Sequence, residues 1–107
     1  MDRFKVSAEL LSDIKNYLDI TWDDTATDDK LKTLIAGGST YLRGKCVADL
    51  NFEIDDLPRT LLFDYVRYAR DSALDIFENN YISLILAMQN NEAVKAHHVE
   101  SSKQTKK

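Results

Sequence analysis

The chain reads as an all-α protein: a small bundle of three to four helices followed by a disordered C-terminal tail. Three observations predict this. Only three glycines and one proline punctuate the 107 residues, too few for a turn-rich β architecture. Apolar residues recur at helical rather than alternating spacing along several stretches. Beyond Asn91 the pattern fades into EAVKAHHVESSKQTKK, polar and rich in Ser and Lys, with disorder expected past about His97. The domain reading is a single helical unit over residues 1–94 and a flexible basic tail over 95–107.

The first helix lies in VSAELLSDIKNYLDI. Ser7 is a good N-cap, Glu9 complements the first turn, and Val6 can staple onto Leu11. Leu10, Leu11, Ile14, Tyr17 and Leu18 form its apolar stripe. The connection TWDDTATDD holds the only Trp and four aspartates. It lacks the glycine and terminal glutamate of a calcium-binding EF-hand loop. The simpler expectation is that Thr27 caps the next helix, with Asp28 and Asp29 facing its dipole.

DKLKTLIAGGSTYLRGKC supplies the second helix, with Leu31, Leu34, Ile35, Gly38, Tyr41 and Leu42 on one face. Two glycines inside a helix cost roughly 1 kcal/mol each relative to Ala. Close approach of a neighbouring helix at Gly38 is the expected compensation, and Gly44 the expected C-terminal cap. VADLNFEIDD then connects, with a short extended piece expected at 51–54.

Pro58 belongs in the first turn of the third helix, behind Asp55 and Asp56. In LPRTLLFDYVRYARDSALDIF, taken as one helix, Leu62, Tyr65, Val66, Ala69, Ala73, Ile76 and Phe77 trace a stripe. Leu61, Tyr68 and Leu74 fall outside it. A helix apolar on more than one side is central in its domain or contacts a partner. If the helical phase continues through FENNYISLILAM, then Phe77, Tyr81, Leu84, Ile85 and Met88 share one arc as a core face. Ile82 and Leu86 lie opposite. A strand over 81–86 is the other reading of this short apolar run.

Charge is uneven. Residues 1–94 carry 10 Lys/Arg against 17 Asp/Glu, and residues 95–107 carry four Lys against one Glu. An acidic body argues against gripping nucleic acid across a broad face, while the basic tail suits phosphate or an acidic partner. Cys46 is the lone cysteine, so no internal disulfide forms and a reducing compartment fits. No secretory h-region and no run long enough to span a bilayer are visible, so a soluble intracellular product is expected.

Catalytic signatures are missing: no nucleophile elbow, zinc-protease helix, CxxC, dinucleotide fingerprint or P-loop. His97 and His98 are adjacent in the tail without a third ligand nearby, which reads as tail rather than metal site. The expectation is a protein without enzyme activity, cofactor or metal.

LPRTLLFDYVRYARDSALDIFENNYISLILAMQ resembles the C-terminal half of the small head–tail connector proteins of tailed double-stranded DNA phages. These are also called head-completion or adaptor proteins, and the variety is that of phages and prophages of Gram-positive bacteria. The matching elements are Leu57-Pro58-Arg59, Leu61-Leu62, Tyr65-Val66-Arg67-Tyr68-Ala69 and Phe77-Glu78-Asn79-Asn80-Tyr81. The first half fits more loosely, and the whole covers about residues 7–92. Gly37-Gly38 departs from the Ala-rich helix expected there, and the basic tail has no counterpart.

The resemblance implies a structural protein of the virion neck, assembled in the host cytoplasm. It implies a ring of about twelve copies beneath the portal, built from heterologous contacts. That ring extends the DNA channel and presents a surface to the next neck, stopper or tail protein. DNA would pass without sequence-specific binding, and no membrane is involved. Ile82, Leu86, Tyr68 and Leu74 are the expected partner-interface residues. The alternative is a small helical DNA-binding transcription regulator, with the second and third helices as a helix-turn-helix. The gap from Gly44 to Pro58 is too long for that motif's turn.

Overall fold

The computed structural model describes residues 6–46 and 50–105, with side chains described as far as Lys95. Four helices run in order: α1 (Ala8–Tyr17), α2 (Thr25–Arg43), α3 (Leu57–Arg70) and α4 (Leu74–Thr105). The described residues contain no strand, and the chain is an all-α bundle. The strand reading of 81–86 is therefore excluded, since these residues lie inside α4. The expected flexible tail falls, from 96 on, where side chains lie outside the described residues; the backbone continues as helix to Thr105.

α1 begins as its sequence dictates, with Ser7 Oγ accepting the Leu10 N–H at 3.0 Å. It ends in a Schellman motif. Asp19 adopts φ 61°, and the Ile20 N–H reaches back to the Lys15 carbonyl at 2.8 Å. Ile20, now turned inward, is only 4% exposed.

The cap of α2 differs from expectation. Asp24, not Thr27, is the N-cap: its carboxylate accepts from both the backbone N–H and the hydroxyl of Thr27. A carboxylate three residues earlier satisfies the orphan donor and leaves Thr27 inside the first turn. Gly44 does cap the C-terminus, but in right-handed conformation (φ −66°), so its lack of a Cβ is not what the cap uses.

Residues 51–54 form no extended piece. Asn51 Oδ1 accepts the Glu53 N–H at 2.9 Å, curling 51–54 into a turn. The turn drives Phe52 inward, and with Leu50 it plugs the core. Arg59 fastens it by donating to the Phe52 carbonyl at 3.0 Å. Asp56 then caps α3, whose first turn holds Pro58.

The long third helix read from sequence is two helices. α3 stops at Arg70, and Ser72 takes φ 55°. The Ser72 N–H donates to the Ala69 carbonyl and the Ala73 N–H to the Tyr68 carbonyl, a second Schellman motif. The break resets the helical phase. Ile76, expected on the stripe, is therefore 48% exposed. Leu61, expected off it, is fully buried because α3 packs on two sides.

α3 lies at the centre, packed against α2 on one side and α4 on the other, with α1 against α2. The core collects Leu10 and Ile14 of α1, Leu31, Ile35 and Leu42 of α2, Leu61, Leu62 and Val66 of α3, and Phe77, Ile85 and Met88 of α4. Gly38 is buried where α2 meets α3, directly against Tyr65 and Leu62. The glycine expected to permit close approach does so.

Candidate assembly surface

α4 carries more apolar side chain than the monomer's core accepts. Advancing about 100° per residue, Phe77, Tyr81, Ile85, Met88 and Glu92 share the arc that faces α3. Phe77, Ile85 and Met88 are at most 2% exposed. Ile82 and Leu86 lie one turn apart on one flank and are 45% and 56% exposed. Leu84, expected in the core, stands at the arc's far edge and is also exposed. Its assignment to the core is therefore corrected: the buried arc of α4 is narrower than the five-residue arc expected and is centred between Tyr81 and Ile85, which leaves Leu84 at its edge. Ile76 and Val94 share the remaining flank, both open to solvent.

The four residues expected at a partner interface do not form one patch. Ile82 and Leu86 are neighbours. Leu74 opens α4 and is 38% exposed. Tyr68 is half-buried within an aromatic cluster, edge-on to Phe77 (5.7 Å between centroids) and to Tyr81 (5.5 Å). Its ring supports the α3–α4 packing rather than standing clear of it.

Polar ties hold α4 in this orientation. Glu78 accepts from the Tyr41 hydroxyl at 2.8 Å and from Lys45 Nζ at 3.1 Å. These partners hold the Glu78 carboxyl below its ordinary range. Burial first, then the bond to Glu78, pushes the Tyr41 hydroxyl up to about 12. Gln89 donates to the Lys45 carbonyl at 2.8 Å, closing the C-terminus of α2 onto α4. Farther along, Lys95 bridges Glu92 and the α3 cap Asp56, at 3.2 and 3.1 Å. The flank bearing Ile82 and Leu86 is thus presented from a fixed helix.

A second surface lies on the opposite helix. A groove of about 500 Å³ runs beside α1, with Leu11 and Ile20 in its lining and Trp22 among its walls. Trp22 is 51% exposed. Lys15, also in the groove, is held by Asp28 at 2.9 Å and Asp23 at 3.6 Å. Sequence reasoning treated Trp22 only as part of a polar connection. Its signal was there: a lone Trp among aspartates has no apolar neighbours at helical spacing to bury it.

The chemistry of the described residues is sparse. They contain no group of three or more side chains able to hold a metal ion. Burial, with the Glu92 charge second, pushes the Cys46 thiol up, away from the reactive thiolate. No helix among them is long and apolar enough to cross a membrane. His97 and His98 have side chains outside the described residues. Compared with known proteins, the chain matches no family model, no curated protein and no solved structure.

Proposed function

We propose that this protein is a structural assembly module of the phage neck, forming a ring below the portal that extends the DNA channel and links head to tail. The observation that carries the reading is the surplus apolar surface of α4. Ile82 and Leu86 project from a helix already anchored to its bundle by Phe77, Ile85 and Met88. Apolar side chains placed outside a complete core are more useful to a partner than to the monomer. Two separate open flanks on α4, and a groove on α1, supply the unlike faces that a closed ring of heterologous contacts requires. The acidic body lets DNA pass without holding it.

A gene-regulatory role fits the geometry less well. Residues 44–56 separate α2 from α3 and contribute Leu50 and Phe52 to the core, whereas a helix-turn-helix needs a tight turn. α3 also packs against both α2 and α4, and Tyr17 of α1 lies on Phe63 and Asp64 in the middle of its remaining face, where a recognition helix would meet a major groove.

The isolated chain is expected to be monomeric at low micromolar concentration, because its acidic body repels other copies. Cosedimentation with purified cognate portal tests the reading. The wild type should pellet with portal, and folded Leu86→Asp should stay in the supernatant. Wild type that never pellets, under any salt condition, would remove the proposal.

A further inference from the structure

We infer that two copies of this chain exchange α4, with the turn at 71–73 as the hinge. In the exchanged form α3 and α4 run on as one helix, and each α4 seats on the α3 of the other copy. Two chains suffice, and no portal is required.

The hinge is short and strained. Only residues 71–73 separate α3 from α4, and Ser72 sits at φ 55°, a conformation that strains any residue but glycine. Asp71 and Ser72 are both exposed, so burial does not hold the turn in place. Neither glycine nor proline occurs anywhere after Pro58, so the hinge sequence is free to be helical. A short hinge under strain invites exchange of the element that follows it.

The residues around the hinge suit a straight helix better than a bent one. Continued at about 100° per residue, Leu62, Val66, Ala69, Ala73 and Ile76 keep one stripe. The turn breaks that stripe and leaves Ile76 48% exposed. Two straightened helices crossing at 71–73 about a two-fold axis restore it. Ala69, Ala73 and Ile76 of each then face those of the other, and Ile76 is covered.

α4 is also separable as a unit. It runs antiparallel to α3, with Phe77 edge-on to Tyr68 (5.7 Å between centroids) near the end of α3 and Lys95 on Asp56 at its start. On α2, Glu78 meets Lys45 Nζ at 3.1 Å and Gln89 meets the Lys45 carbonyl at 2.8 Å. Each of these partners precedes the hinge, whereas the α4 residues follow it. A second copy therefore supplies the same contacts unchanged. In the closed monomer α4 is tethered beside its site at an effective concentration on the order of millimolar. The monomer thus dominates at low micromolar concentration, and exchange sets in when chains refold together near millimolar. Releasing α4 uncovers Phe77, Ile85 and Met88, so a dimer once formed reverts slowly on dilution.

The test refolds the full chain from denaturant at millimolar concentration, dilutes it and follows it by sedimentation velocity. A dimer that outlives dilution is expected. Because the dimer contains the hinge twice, Ser72→Gly should lower the dimerisation constant by about fivefold, and Ser72→Ala should raise it. Lys45→Glu and Glu78→Lys, one of them isotope-labelled and both checked by circular dichroism, are then refolded together and weighed by native mass spectrometry. Exchange pairs opposite charges only between unlike chains, so heterodimers should exceed their random share. Absence of a dimer, a dimer indifferent to residue 72, or heterodimers at the random share would overturn the exchange. Portal binding is a separate measurement: its failure would strike the assembly reading and leave the exchange standing.

Discussion

Gly38 and Tyr65 are packed so closely that a Cβ on Gly38 would lie 2.7 Å from the Tyr65 ring. It would also lie 2.8 Å from Leu62. Gly38→Ala should therefore lower stability by about 1–3 kcal/mol through overpacking, outweighing the gain of about 1 kcal/mol in helix propensity. Gly37, one residue earlier, meets only the Tyr65 hydroxyl at 3.9 Å. Gly37→Ala should instead raise stability by up to about 1 kcal/mol. Urea unfolding of the two variants should show opposite signs.

Ser72 holds the α3–α4 break with φ 55°, a conformation that glycine adopts freely and other residues do not. Ser72→Gly should raise stability by roughly 0.5 kcal/mol, the relief of strain being partly offset by a floppier unfolded chain. Ser72→Val should lower it by about 1–3 kcal/mol. Thermal unfolding distinguishes these. Equal stability of all three would show that the left-handed turn is not what ends α3.

These residues also explain what the sequence did and did not disclose. The fold class, the Ser7 cap, Pro58 in the first turn of α3 and the contact at Gly38 were legible, because each follows from local chemistry. The break at 71–73 was not. A Schellman turn with serine in place of glycine carries no punctuation, and Ala73 and Ile76 extend an apparently unbroken stripe across it. That miss misplaced Ile76, whereas Leu61, off the stripe of its own helix, is buried because α3 packs against both α2 and α4. Phe52 was hidden for another reason: a short polar loop gives no periodicity to say which side chain turns inward. On α4, the exposed flank of Ile82 and Leu86 was readable from helical phase alone. The exposure of Leu84 and the groove beside Trp22 depend on how the helices dock, which periodicity does not encode.

Alkaline pH should loosen the packing of α4 on α2 and α3. Burial, followed by the Asp64 charge, pushes the Tyr81 hydroxyl up to about 12, and Tyr41 reaches about 12 beside Glu78. Both ordinarily titrate at 10.0, so the fold prefers their protonated forms. Their contribution is complete below pH 10 and is lost as pH rises through about 12. Unfolding free energy should fall across that window, and the fall should be shallower in Tyr81→Phe. A slope identical to wild type in the variant would contradict this.

Three adjacent positions separate core from surface on α4. Ile85→Asp places a carboxylate at a site 2% exposed and should unfold the monomer. Leu86→Asp, at a site 56% exposed, should leave the circular dichroism and melting temperature near wild type. Leu84→Asp falls between them, since Leu84 is 41% exposed at the edge of the core arc. Thermal melts followed at the helical band give the ranking.

If the surplus apolar face of α4 serves assembly, electron microscopy of the wild-type protein mixed with purified portal should show a new ring of density coaxial with the portal channel. Leu86→Asp, a folded monomer in solution, should leave the portal bare. Portal particles unchanged by the wild-type protein, or decorated equally by Leu86→Asp, would contradict that role.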